Sequence, residues 1–428
     1  MKIRTVSKSY DDVLALTPAK HKKPKRVNFF FRLLLKTVSI PDLLAVRFHC
    51  NRIGMERLGR REPCLILMNH SSFVDLEIAA SVLFPRPFNI VATTDGFVGK
   101  NWLMRQIGCI PTKKFVTEMR LIRDITYAIK EQNSSVLMYP EASYSFDGTA
   151  TPLPDSVGQF IKRLGVPVVM IRTYGAFSRD PLYNNLQRRR VKVSADLEYL
   201  LSAEDTQQMS SEEINGLLKK KFSFDGFRWQ QENRIRIDEP FRADLLNRVL
   251  YKCPACLQEG HMEGKGTHLS CKKCGKSYLL DPFGFLRATE GDTEFSHVPD
   301  WYAWERECVR RELLEGTYLL DVPVDICMSV DTKAIFRVGE GRLRHDENGL
   351  TLTGCDGKLT YHHSPLSSYS LYSDFNWYEI GDMICIGNHA ALYYCFPKTD
   401  RDVVAKARLA AEELYKIAKN ASRTSPVR

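Results

Sequence analysis

Between residues 60 and 200 the chain alternates short apolar runs with helically spaced ones. The runs at 64–68, 88–92, 136–139 and 166–171 leave almost no polar face, as strands covered on both sides require. Between them, 72–84, 97–107 and 117–131 read as helices, which predicts an α/β domain over about 51–240. Upstream, Phe29, Phe30, Phe31, Leu33, Leu34 and Leu35 precede Pro41, and Leu43, Leu44, Val46 and Phe48 follow it. This pattern predicts two short amphipathic helices broken at Pro41, within a first segment of 1–50. A polar stretch beyond 200 ends in a helix over 212–222. From 315 to 428 strands at 334–338, 350–353, 359–362, 383–386 and 391–396, punctuated by glycine turns, lead to a helix over 402–419. This third region reads as a mainly-β domain ending in a helix.

Composition agrees with two or three folded domains in 428 residues, 44% of them hydrophobic and 26% charged. No run approaches the roughly 18 consecutive apolar residues of a membrane span, which excludes a polytopic transporter. The net charge of +10 is concentrated at one end. Residues 1–62 hold 15 basic and 5 acidic side chains, and the remainder holds 46 of each sign. The block Lys20, Lys22, Lys23, Lys25 and Arg26 beside a Phe/Leu face suits a helix lying on an anionic membrane surface. A buried helix pair with a solvated charged tail is the other reading. The first residues lack the apolar core of a secretory signal. The expected location is therefore the cytoplasmic face of a membrane, peripheral or monotopic, with no signal peptide and no transmembrane span.

Among twelve cysteines, Cys253 and Cys256, then Cys271 and Cys274, form two Cys-x-x-Cys knuckles 14 residues apart. The spacing suits a closed tetrahedral metal site and a reducing compartment. The segment 250–282 resembles a zinc ribbon, which implies structural Zn2+; a redox dithiol pair or an iron site are the minor alternatives. Residues 251–281 carry five lysines and three acidic groups, too diffuse for duplex binding, so no nucleic acid partner is expected. His261 and His268 read as surface residues. His362 and His363 point to opposite faces of a strand, and Cys308, Cys327, Cys355, Cys385 and Cys395 read as buried thiols.

Chemistry concentrates at Asn69-His70-Ser71-Ser72-Phe73-Val74-Asp75, where a buried strand ends, Asn69 and His70 occupy the turn, and Ser71 or Ser72 caps the helix carrying Asp75. A neutral imidazole steered by a carboxylate is a general base for an alcohol.

This Asn-His-x-Ser-x-x-Asp block resembles the first motif of the glycerolipid acyltransferase superfamily, the lysophosphatidate and glycerol-phosphate acyltransferases. Three further blocks follow in the family's order: Gly96 to Lys114, Tyr139-Pro140-Glu141-Ala142-Ser143-Tyr144-Ser145, and Val166 to Met170. The resemblance spans about 45–240. It implies His70 as base, Asp75 as its orienting partner, and direct transfer from acyl-CoA or acyl carrier protein. It also implies acceptor binding by Asn69, Ser72, Lys113, Lys114, Glu141 and Ser143. Lysine replaces the usual arginine at 113–114, Ala142 replaces a glycine and Tyr144 an arginine, which loosens the acceptor to a lysophospholipid, with 1-acylglycerol-3-phosphate foremost. Arg105, Arg120, Arg123 and Arg172 are either substitute phosphate contacts or solvated charges. The rival reading is a non-catalytic membrane adaptor on the same scaffold. The last hundred residues loosely resemble a pleckstrin-homology or GRAM-like barrel.

Overall fold

The computed structural model describes residues 2–17, 20–116 and 118–424. Met1, Pro18, Ala19 and 425–428, parts of the 1–50 and 315–428 segments, and Thr117, expected to open a helix, lie outside the described residues. The chain divides into two compact units, one of residues 20–181 and 187–230, the other of 1–19, 182–186 and 231–428.

The first unit is an α/β layer structure. Its seven strands run in the order His49–Ile53, Ser194–Leu201, Val168–Tyr174, Leu65–Met68, Ser135–Met138, Phe88–Thr93, Cys109–Thr112. All pairs are parallel except Val168–Tyr174 with Ser194–Leu201. Leu65–Met68 lies in the middle and is fully buried. Ile66 and Met68 enter one core with Ile78 and Val82, while Leu65 and Leu67 enter the other with Ile125 and Ile161. A strand packed on both faces has no place for a polar residue, which explains its unbroken apolar run.

The expected helices are Val74–Leu83, Asn101–Gln106 and Met119–Lys130. Ser194–Leu201 was not anticipated, although Ala195, Leu197, Tyr199 and Leu201 alternate with less buried neighbours. His49–Ile53 is a largely exposed edge strand with no apolar signal.

The N-terminal expectation needs correction. Phe29–Ala45 is one helix containing Pro41, where two helices broken at Pro41 were expected. Pro41 removes a single backbone donor, and packing on Val74–Leu83 keeps the axis continuous. Asn28 caps the start by accepting Phe31 N–H at 3.0 Å. The preceding basic stretch is strapped to the sheet's edge. Asn89 donates to the Lys25 carbonyl at 2.8 Å, Arg105 to that of Lys23 at 2.6 Å, and Gln132 to that of Pro24 at 3.0 Å. Lys22, Lys23, Lys25 and Arg26 remain exposed.

In the second unit, Met262–Lys265, His268–Cys271, Ser277–Leu280 and Leu286–Ala288 form a four-stranded antiparallel sheet. A larger sheet runs Leu359–His363, Gly349–Gly354, Ile335–Asp346, Leu320–Ser329, Leu392–Pro397, Gly381–Gly387, Tyr372–Trp377, with Thr5–Ser7 parallel to Ile335–Asp346. The terminal helix is Val404–Thr424. The helix Val298–Leu314 escaped the sequence pattern because Glu305 interrupts its buried stripe of Trp301, Tyr302, Val309 and Leu313. Glu305 is itself fully buried and accepts Lys252 N–H at 2.8 Å.

Candidate active site

Three neighbouring strands deliver the site at their carboxyl ends, the edge where open α/β sheets bind ligands. Asn69 and His70 follow Leu65–Met68, Glu141 follows Ser135–Met138, and Thr173 closes Val168–Tyr174. His70 Nδ1 lies 3.1 Å from Asp75 Oδ2. The same oxygen accepts Ser71 N–H at 2.9 Å and Ser72 N–H at 3.1 Å. With that carboxylate accepting, Nδ1 carries the hydrogen and Nε2 is left basic. The His70 side chain is 17% exposed and Asp75 is 1% exposed. Burial lowers the imidazole pKa below its usual 6.5, against the raising effect of Asp75, so the ring is neutral at pH 7.

The backbone of the turn is fixed separately. Glu141 Oε2 accepts His70 N–H at 3.1 Å, and its Oε1 accepts Thr151 N–H at 2.9 Å and Thr151 Oγ1 at 3.2 Å. Both carboxylate oxygens are engaged with the scaffold. Burial pushes this carboxyl up to about 7, although the three hydrogen bonds oppose the rise. Asn69 Oδ1 accepts Thr173 N–H at 2.8 Å, while its Nδ2 donates to Thr173 Oγ1 at 3.1 Å and Ser71 Oγ at 3.2 Å.

The helix carrying Asp75 opens on Phe73 without a side-chain cap, where Ser71 or Ser72 was expected; Ser72, one residue earlier, accepts Val74 N–H at 3.3 Å and donates its hydroxyl to Asp180. Ser143 is buried. Lys114 places its ammonium 5.9 Å from the centre of the Tyr144 ring, whereas Lys113 donates its backbone N–H to Glu118 at 3.1 Å.

Of the four arginines, Arg105 is spent on the strap carbonyls and Arg172 pairs with Asp196 at 3.8 Å. Arg120 and Arg123 are exposed.

Tyr139 and Tyr144 stack on His70 with centroids at 4.1 and 4.0 Å. Tyr144 had a signal, as the departure from arginine in the third block. Asp180 and Arg179 had none, being more than a hundred residues from the turn they support.

In the second unit the Sγ atoms of Cys253, Cys256, Cys271 and Cys274 lie within 4.8 Å of one another, and this group could hold a metal ion. Cys253 to Cys274 is 3.8 Å and Cys256 to Cys271 is 3.7 Å. Thiolates about 2.3 Å from a tetrahedral ion would stand about 3.8 Å apart, so the donors fit. His261 and His268 are exposed.

A family model described as Acyltransferase matches residues 49–173. A chloroplastic 1-acyl-sn-glycerol-3-phosphate acyltransferase, BAT2 of Brassica napus, is 28% identical over 127 residues, covering 28% of this chain and 36% of that protein. The human 1-acyl-sn-glycerol-3-phosphate acyltransferase beta is 27% identical over 125 residues, covering 28% of this chain and 45% of that protein. The chain thus spans less than half the length of these curated relatives. A crystal structure of the 1-acyl-sn-glycerophosphate acyltransferase PlsC from Thermotoga maritima aligns with a TM-score of 0.34 and 14% identity, covering 45% of this chain and 78% of that one. The family match thus marks residues 49–173 as an acyltransferase domain, similar to the two 1-acyl-sn-glycerol-3-phosphate acyltransferases.

Proposed function

We propose that this protein transfers a fatty acyl group from a thioester donor, acyl-CoA or acyl carrier protein, to a hydroxyl of a lysophospholipid, with 1-acylglycerol-3-phosphate as the foremost acceptor. The observation that carries the reading is the 3.1 Å contact between His70 Nδ1 and Asp75 Oδ2, with the carboxylate held by two backbone N–H groups. In the reaction, His70 Nε2 takes the acceptor's hydroxyl proton as its oxygen attacks the thioester carbonyl. The tetrahedral intermediate then expels a thiolate, the C–S bond breaks, and the proton on Nε2 returns to the sulfur. No acyl-enzyme is needed, because the donor is already activated.

Asn69, Ser72 and Glu141 hold the turn, and Ser143 is buried two residues beyond Glu141. Lys113 and Lys114 offer point charges to an acceptor phosphate, without arginine's bidentate fork.

The second unit supports this role structurally. Zinc held by Cys253, Cys256, Cys271 and Cys274 would clamp its two knuckles. The sheet order and terminal helix favour a pleckstrin-homology or GRAM-like fold for the C-terminal strands. The protein acts at the cytoplasmic face of a membrane, attached through the exposed apolar side chains of Phe29–Ala45 and the lysines of the strap. Among the described residues no helix is long and apolar enough to cross a membrane.

Labelled acyl thioesters and a panel of lysolipids test the reaction with His70→Ala as control. Product from the unmodified chain and its loss in the variant are expected; product from neither, or equally from both, removes the catalytic reading and leaves the adaptor.

A further inference from the structure

Asp75 Oδ2 gathers three hydrogens, from His70 Nδ1, Ser71 N and Ser72 N, so the placement of Ser72 sets the placement of the base. Ser72 is itself anchored by donating its hydroxyl to Asp180 Oδ1. Asp180 Oδ2 faces Arg179 Nη1 at 2.9 Å, and Arg179 Nη2 lies 3.3 Å from Asp42 Oδ2 on the helix Phe29–Ala45. Arg188 meets the other oxygen of Asp42 at 3.0 Å. Ser72, Arg179 and Asp180 are 1%, 3% and 3% exposed, so water screens their contacts little, whereas Asp42, at 23%, and Arg188, at 67%, reach solvent at the outer end.

A structural ion pair could sit anywhere in the unit. This one ends on the hydroxyl of a residue whose N–H holds the catalytic carboxylate, and begins on a helix with Phe30, Val38 and Leu44 at 65%, 60% and 71% exposure. We propose that Arg179 and Asp180 are positioning residues that tie the seating of the helix Phe29–Ala45 to the geometry of the His70–Asp75 pair. The inference rests on the acyl-transfer reading for its catalytic consequence. A lipid surface that covers the exposed side of the helix would steady Asp42, and through Arg179, Asp180 and Ser72 would steady the base. Burial pushes the Asp180 carboxyl up to about 6 despite Ser72 and Arg179, so this link is also sensitive to losing either partner.

The test uses the full chain with Asp180→Asn, Ser72→Ala, Asp42→Asn and the Asp42→Asn/Ser72→Ala double variant. Two readouts are taken: kcat and KM for acyl transfer on vesicles, and titration of the His70 ring by NMR with labelled histidine. Asp180→Asn and Ser72→Ala should each lower kcat by about 10-fold or more while KM stays within about 2-fold, and both should shift the His70 titration. The double variant should lose less than the product of its two single losses, since both cut one linkage.

Wild-type kcat with an unmoved titration in Ser72→Ala overturns the proposal, and so do independent, multiplying losses in the double variant. Ser72→Ala removes one hydroxyl and decides the matter if Asp180→Asn does not fold. The titration needs no substrate. An unmodified chain inactive on every acceptor would therefore end the enzymatic reading, while a shifted His70 titration would still report the linkage.

Discussion

The Tyr144 ring stacks on the His70 ring with centroids 4.0 Å apart and planes 26° from parallel. Tyr139 stacks at 4.1 Å, and two rings at that distance cannot share one face, so the imidazole lies between two aromatic faces. When His70 takes a proton, the imidazolium gains the attraction of both π faces, about 0.5–2 kcal/mol in a partly desolvated site.

Tyr144→Phe should therefore retain kcat/KM within about 2-fold, because the face survives, whereas Tyr144→Ala should lower it by about 10-fold and lower the His70 pKa further. Tyr144→Arg would put a cation beside the forming imidazolium and should reduce kcat more than Tyr144→Ala does. Steady-state kinetics and ring titration read all three.

Acid should impair the site through two groups. His70 is useful only when neutral, and its pKa lies below 6.5, so activity falls as pH drops through that lower value. Glu141, near 7, becomes an acid whose O–H faces an N–H donor once protonated. Its native pKa is raised from 4.5, so between about 4.5 and 7 the folded chain binds a proton that the unfolded chain lacks. Its contribution to stability accordingly declines as pH rises through that window and is flat above it. Glu141→Gln should remove this component from the pH dependence of denaturant unfolding. It should also lower kcat, since an amide presents only one acceptor oxygen to two backbone donors.

Ala142 has φ +56°, the left-handed region that glycine enters without strain. Relief of about 1–2 kcal/mol of strain, less about 0.4–1 kcal/mol for the freer unfolded chain, predicts that Ala142→Gly stabilises by about 0.5–1 kcal/mol. Urea unfolding measures it.

The four-cysteine site should bind one zinc per chain by elemental analysis, and Cys253→Ser should abolish stoichiometric binding. Lys252 and Glu259, which flank the first knuckle, form a closed ring of ion pairs with Lys406 and Glu312 at 2.7 to 3.5 Å. Chelation should therefore loosen more than the knuckles. Limited proteolysis should show new cleavage within 251–281 together with a lower melting temperature.

On anionic vesicles, Phe30→Gln combined with Leu44→Gln should weaken sedimentation by about 100-fold or more, since each fully buried apolar side chain contributes about 1.5–3 kcal/mol. Binding of the unmodified chain should fall with added salt, through screening of the strap's lysines. Unchanged sedimentation in the double variant would place the membrane contact elsewhere.

Local patterning determined much of this protein by itself. The apolar run from 64 to 68 reads as a strand covered on both sides, and the Asn-His-x-Ser-x-x-Asp turn after it reads as a base and its carboxylate only in company with the three blocks that follow. Cysteines at 253, 256, 271 and 274 read as knuckles from spacing alone, because two residues between thiols suffice to wrap an ion. What pattern cannot carry is the meeting of distant side chains.

Pro41 looked like a helix break, yet packing on Val74–Leu83 outweighs the one backbone donor it removes. Glu305 hid a helix, because a carboxylate facing a core is invisible to a period count until its backbone partner Lys252 is placed. The tyrosines on His70, the double engagement of Glu141 and the path from Asp42 to Ser72 all join segments far apart in the chain. Burial gives those contacts their strength, and burial is decided only when the sheet assembles.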